Sequence, residues 1–215
     1  MLRRVILLSH RNPSLQKDAR YILWFPLYLL TYFVAERIPM DNYWATQIPL
    51  DGLIPFCEWF AIPYCLWYPL LVGVGLYLLF RDSGAFRRYM LFLAATFFLS
   101  ATIWILIPNG QDLRPLVFPR DNPLTRLMAL LYSIDTNTNV FPSVHVVGAV
   151  GAALAARDSA LLRKKKWLCV LISILAVLIC MSVVFVKQHA VLDLLGGLLL
   201  SALVAVFVYT PQKNT

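Results

Sequence analysis

Charge is what this sequence has least of. Only 14% of its 215 residues are Asp, Glu, Lys or Arg, against 60% hydrophobic residues, whereas a soluble domain carries about 25% charged residues. That shortage excludes an ordinary soluble domain. Cysteine is also scarce: Cys57, Cys65, Cys169 and Cys180 show neither CxxC nor zinc-type spacing. Three of them fall in apolar runs, where cysteine acts as a small buried hydrophobe, so they say little about redox compartment. No repeat, low-complexity tract or long linker divides the chain, and residues 1–215 read as a single domain. A secretory leader is not expected, because the apolar stretch after Arg3 and Arg4 is shorter than a signal-peptide core of about 7 to 15 residues.

What is abundant is uncharged apolar sequence. Runs cover Tyr21 to Ala35, Phe60 to Phe80, Tyr89 to Ile107, Val140 to Ala156, Trp167 to Val186 and Leu194 to Tyr209, close to or just under the roughly 17 to 25 residues that cross hydrocarbon. The pattern predicts an all-α, multi-pass membrane protein with six transmembrane helices in one bundle. The first, fourth and sixth runs are short. In the last two, polar residues occupy the first turn: His145, and His189 with Asp193.

The net charge of +8 invites a nucleic-acid reading, and its distribution argues against one. With six spans, both termini and the loops at Arg81 to Arg88 and Arg157 to Lys166 share one side, which holds fourteen of the nineteen basic residues. The positive-inside rule makes that side cytoplasmic. The opposite side carries Arg37, Arg114, Arg120, Arg126 and Lys187, and on it lie both histidine motifs described next. The basic residues set topology in a plasma membrane, and the expected partners are membrane lipids, with no nucleic acid.

Three histidines exist, and two sit where predicted helices begin, in Phe141-Pro142-Ser143-Val144-His145 and Lys187-Gln188-His189-Ala190-Val191-Leu192-Asp193. Ser143 is placed to cap its helix. The free N–H groups of such an end attract an anion, and His145 in the first turn reaches the same anion. A plain Pro-Ser cap with a histidine bonded to a neighbouring helix fits the same residues. The i, i+4 spacing of His189 and Asp193 lets the carboxylate accept the Nδ1 proton and leaves Nε2 as base or nucleophile; a structural pair bracing two helices is the alternative. Two histidines and one aspartate are a poor metal set without HExxH-type spacing, so no metal or other cofactor is expected. Arg114, beside Pro115, and Arg120 stand in a loop as candidate phosphate ligands. That loop is expected to hold a short helix from Pro123 to Ile134 capped by Asp121 or Asn122. Between the first two spans, residues 38–59 mix Pro39, Pro49, Gly52 and Pro55 with Tyr43, Trp44, Phe56 and Trp59, an interfacial segment by its aromatic content.

These residues resemble the type 2 phosphatidic acid phosphatase superfamily, which includes lipid phosphate phosphatases and the related inositol phosphorylceramide synthases. The family pattern is Lys with Arg-Pro seven residues on, then Pro-Ser-x-His, then Ser-Arg with His and Asp further along. Arg114-Pro115, Pro142-Ser143-x-His145, and Ser182 with His189, Asp193 and Gly197 match it, while Ile107 and Val183 stand where Lys and Arg are expected. The resemblance implies that His189 attacks phosphorus to give a phosphohistidine, oriented by Asp193. His145 would protonate the leaving group and then activate water. Arg114, Ser143, and Ser182 or Lys187 would neutralise the phosphoryl oxygens, with Arg120 as a further candidate and no metal. Lys187, one helical turn beyond Val183 if that helix continues, would replace the missing arginine. The implied function is an extracytoplasmic lipid phosphate or diphosphate phosphatase. A lipid phosphotransferase and a non-catalytic lipid-phosphate binder are the alternatives.

Overall fold

The structure is a computed structural model that describes residues 17–38 and 42–210; the N-terminal stretch read above as too short for a leader lies outside the described residues. The chain is mostly helical, at 74%. A 3-10 turn (Arg20–Ile22) leads into α1 (Trp24–Ala35). There follow α2 (Glu58–Arg81) and α3 (Ser83–Leu106), the short α4 (Pro123–Ile134), α5 (Val144–Asp158), α6 (Lys166–Phe185) and α7 (Val191–Tyr209). Two brief strands, β1 (Trp44–Ala45) and β2 (Asn109–Gly110), pair in parallel, and Gly110 bridges antiparallel to Thr138.

All six predicted runs coincide with helices, but only α2, α3, α6 and α7 are long and apolar enough to cross a membrane by themselves. α1 has 12 residues and α5 has 15. Leu195, Leu199, Phe207, Val170, Leu171 and Ile174 are exposed on the outer faces of α6 and α7, as hydrocarbon contact requires. Among the described residues α5 is the most enclosed helix and packs against α2, α3, α6 and α7. Its sequence accounts for this. Gly148, Ala149, Gly151, Ala152, Ala155 and Ala156 are all buried, and small residues let helix backbones approach closely where lipid removes the hydrophobic drive for association. A Cβ on Gly148 would lie 2.6 Å from Trp67 Nε1, and one on Gly197 would lie 2.8 Å from Val146 Cβ. The first contact seats α2 against α5, the second seats α7 against the start of α5.

At the end of the bundle where α3 begins, polar clamps fix the helix ends. Asp82 accepts from the backbone N–H of Ala85 at 3.2 Å and from Ser159 Oγ at 2.7 Å. Arg88 pairs with Asp158 and Arg87 with Asp18, which also accepts from Ser83 Oγ. At the other end α4 starts as expected: Asn122 Oδ1 accepts from Leu124 and Thr125 N–H at 3.0 Å, and Thr125 Oγ1 accepts from Asn122 N–H. Asn122, rather than Asp121, is the cap.

Candidate active site

At that second end two loops bring the histidine motifs together. The chain leaves α6 after Phe185 and turns sharply, with Lys187 in the left-handed region at φ 55°. The N–H groups of Gln188 and His189 both donate to Val183 O. The other loop runs through buried Asn139 and Val140 into α5. The rings of His145 and His189 stand 5.8 Å apart, edge to face. Tyr64 stacks on His145 at 4.4 Å and Trp67 lies tilted beside it at 4.6 Å.

His189 Nδ1 lies 3.0 Å from Val140 O and 3.6 Å from Asp193 Oδ2. The first distance is a hydrogen bond and the second is not. The tautomer-fixing acceptor is thus a backbone carbonyl, and the expectation that Asp193 would take this proton is corrected. Asp193 Oδ2 instead accepts from Ala190 N–H at 2.7 Å, capping its own helix. Asp193 Oδ1 is buried without a partner. With Nδ1 donating, His189 Nε2 carries the lone pair. Both ring nitrogens of His145 and the hydroxyl of Ser143 are buried and unpartnered among the described residues. Ser143 occupies the N-cap position of α5, but its side chain makes no capping bond. Its N–H donates to Asp193 O at 3.1 Å, tying α5 to α7.

The other expected ligands are placed differently. Arg114 NH1 donates to Tyr132 O and Asp135 O, and NH2 to Thr136 O and to Gln188 Oε1 at 2.5 Å; its guanidinium covers the Tyr132 ring. It therefore meets the site through Gln188, and burial lowers its pKa. Arg120 pairs with Glu58 at 2.9 Å, mostly exposed, away from the histidines; that hydrogen bond raises its pKa. Ser182 donates back along α6 to Ile179 O at 2.7 Å. Lys187 is not on the face of Val183, because α6 ends two residues before it. Its Nζ donates to Asp51 O at 2.8 Å, and burial lowers its pKa while Asp51 opposes the shift. Asp51, in a short helix (Pro49–Leu53), also accepts from Val191 N–H at 2.8 Å. Among the described residues no three His, Cys, Asp or Glu side chains gather as a metal site.

Sequence reading missed a layer of buried amides behind the histidines. Asn109 Oδ1 accepts from the N–H groups of Val140 and Phe141 at 2.9 and 2.7 Å. Gln111 Nε2 donates to Lys187 O at 3.0 Å. Both amides are 0% exposed. Their signal in the sequence was the polar cluster Asn109-Gly110-Gln111 at the end of an apolar run. Beyond the histidines opens a cleft of ≈ 580 Å³, walled by aromatic and aliphatic side chains of α1, α2 and α3 and ending at His145, Gln188 and His189.

Two buried histidines, one with its tautomer fixed, at the closed end of an apolar cleft in a bundle of membrane-length helices suit chemistry on a lipid head. A comparison with curated proteins and with solved structures finds no match. The model of one family, the PAP2 superfamily, matches residues 5–215, nearly the whole chain, and the protein belongs to that superfamily.

Proposed function

We propose that the protein is an integral membrane lipid phosphate or diphosphate phosphatase that works through a phosphohistidine on the extracytoplasmic face, with α1 and α5 completing a six-span bundle. Superfamily membership supports a phosphatase in general. The finer reading rests on one observation: His189 spends Nδ1 on Val140 O while its ring stands 5.8 Å from that of His145 at the end of the cleft.

In this reading the Nε2 lone pair of His189 attacks phosphorus, an N–P bond forms and the P–O bond to the lipid breaks. His145 gives its proton to the departing oxygen. Water then loses a proton to His145, its oxygen bonds to phosphorus, and the N–P bond breaks to release phosphate and restore both histidines. The free Ser143 hydroxyl and the N–H groups that open α5 meet the phosphoryl oxygens. Arg114 acts from behind by holding Gln188. An alcohol in place of water makes the same site a phosphotransferase.

The test is phosphate release by the purified protein from phosphatidic acid, lysophosphatidic acid, phosphatidylglycerol phosphate and undecaprenyl diphosphate, with and without a metal chelator. Chelator-resistant release from at least one is expected. Binding of these lipids with no release from any contradicts the reading, and loss of activity restored by zinc contradicts its metal independence.

A further inference from the structure

The cleft that reaches the histidines has an unexpected electrostatic character for a phosphate site. Among the described residues its lining includes two carboxylates, Glu36 and Asp135, and no lysine or arginine. Both stand at the histidine end. Glu36, just after α1, accepts from Asn139 Nδ2 at 2.8 Å and from Thr136 Oγ1 at 2.5 Å. Asn139 precedes Val140, whose carbonyl holds His189, so Glu36 is joined to the catalytic candidate through one loop. Asp135, which ends α4, accepts from Tyr32 Oη at 2.7 Å. The nearest cation is Arg114, committed to three backbone carbonyls and Gln188.

A phosphate dianion brought alone to two carboxylates in a low-dielectric cleft is repelled. A group carrying its own positive charge is attracted to the same place. A second, independent feature points to a ligand that also donates hydrogen bonds: Asn139 is 6% exposed, lines the cleft, and its Oδ1 has no partner. A buried acceptor is costly to leave unpaired. Tyr28, Tyr32 and Tyr68 border the same end and offer ring faces to a cation.

We infer that the histidine end of this cleft binds a lipid whose phosphate lies next to a primary ammonium group, the ammonium meeting Glu36, Asp135 and Asn139 Oδ1 while the phosphorus faces His189. This rests on the proposed phosphatase reading for the placement of phosphorus. The apolar walls along α1 and α2 take the chains. The ammonium also supplies positive charge where the sequence has Ile107 and Val183 in place of the family's basic residues.

Trp24, Trp67 and Trp104 line the cleft, so chain-brominated lipids that bind in it quench tryptophan fluorescence. In detergent, with identical brominated chains, phosphatidylethanolamine is expected to bind the wild-type protein at least about tenfold more tightly than phosphatidylglycerol or phosphatidic acid. Phosphatidylcholine, whose quaternary nitrogen donates no hydrogen bond, falls between. Glu36→Gln with Asp135→Asn should bring the ratio to within about twofold, with the thermal midpoint checked to confirm folding. Equal or tighter binding of the anionic lipids by the wild type, or a preference that survives the double substitution, overturns the inference. Phosphate release from phosphatidic acid, measured in parallel, separates the two ideas. Release without amine preference leaves the phosphatase reading standing alone, and amine preference with no turnover of any lipid leaves only the binding site.

Discussion

Asn109→Ala is the most informative single substitution in the layer behind the site. Asn109 touches neither histidine, yet its Oδ1 accepts from Val140 and Phe141 N–H, and the Val140 carbonyl is what His189 Nδ1 meets at 3.0 Å. Alanine leaves two buried N–H groups without an acceptor, at about 1 to 3 kcal/mol each. The segment can recover this by rotating the Val140 peptide, which moves the carbonyl off Nδ1. A displacement of about 1 Å at a reacting group costs on the order of a hundredfold in rate. The expectation is a fall of about a hundredfold in kcat for phosphate release with little change in KM. The thermal midpoint in detergent should drop as well. Asn109→Asp keeps an oxygen acceptor for both N–H groups and loses only the donation to Ile107 O, so it should recover part of the loss in kcat. An alanine variant with kcat within twofold of wild type refutes the chain of contacts from Asn109 to His189.

Two further substitutions probe placements found in the fold. Lys187→Met should lower the thermal midpoint, because Nζ braces the α6–α7 turn through Asp51 O. It should change KM for lipid phosphates no more than about threefold; a tenfold or larger rise in KM at unchanged midpoint would instead make Lys187 a phosphate ligand. Gly148→Val puts a Cβ 2.6 Å from Trp67 Nε1, which forces Trp67 off His145. It should cut activity more than tenfold while the protein still reaches the membrane, and wild-type activity would show that Trp67 does not position His145.

The sequence made some features readable because their causes are local. Apolar runs marked every long helix, and Asn122 followed by Pro123 marked where α4 starts. Both signals lie within a few residues of what they specify. The site was readable only in part. His145 and His189 were found from their motifs, and the fold brings their rings together. The acceptor for His189 Nδ1 was not found, because it belongs to a residue 49 positions away. Asp193 had two uses open to it at the same spacing, and capping Ala190 N–H won over the imidazole. Lys187 was assigned a helical face on the assumption that α6 continued. The turn at φ 55° reverses that face. Arg120 and Arg114 looked alike in sequence, and tertiary partners separated them: Glu58 holds the first at the surface, and the end of α4 holds the second beside Gln188.

The central claim is covalent: phosphorus passes through Nε2 of His189. Acid-labile, base-stable label on the protein, trapped by rapid quench during turnover of a lipid carrying radioactive phosphate, measures this most directly. The account predicts label on the wild-type protein and none on His189→Ala, with turnover lost in the variant. Label of equal amount on His189→Ala, or turnover in it within tenfold of wild type, would contradict it.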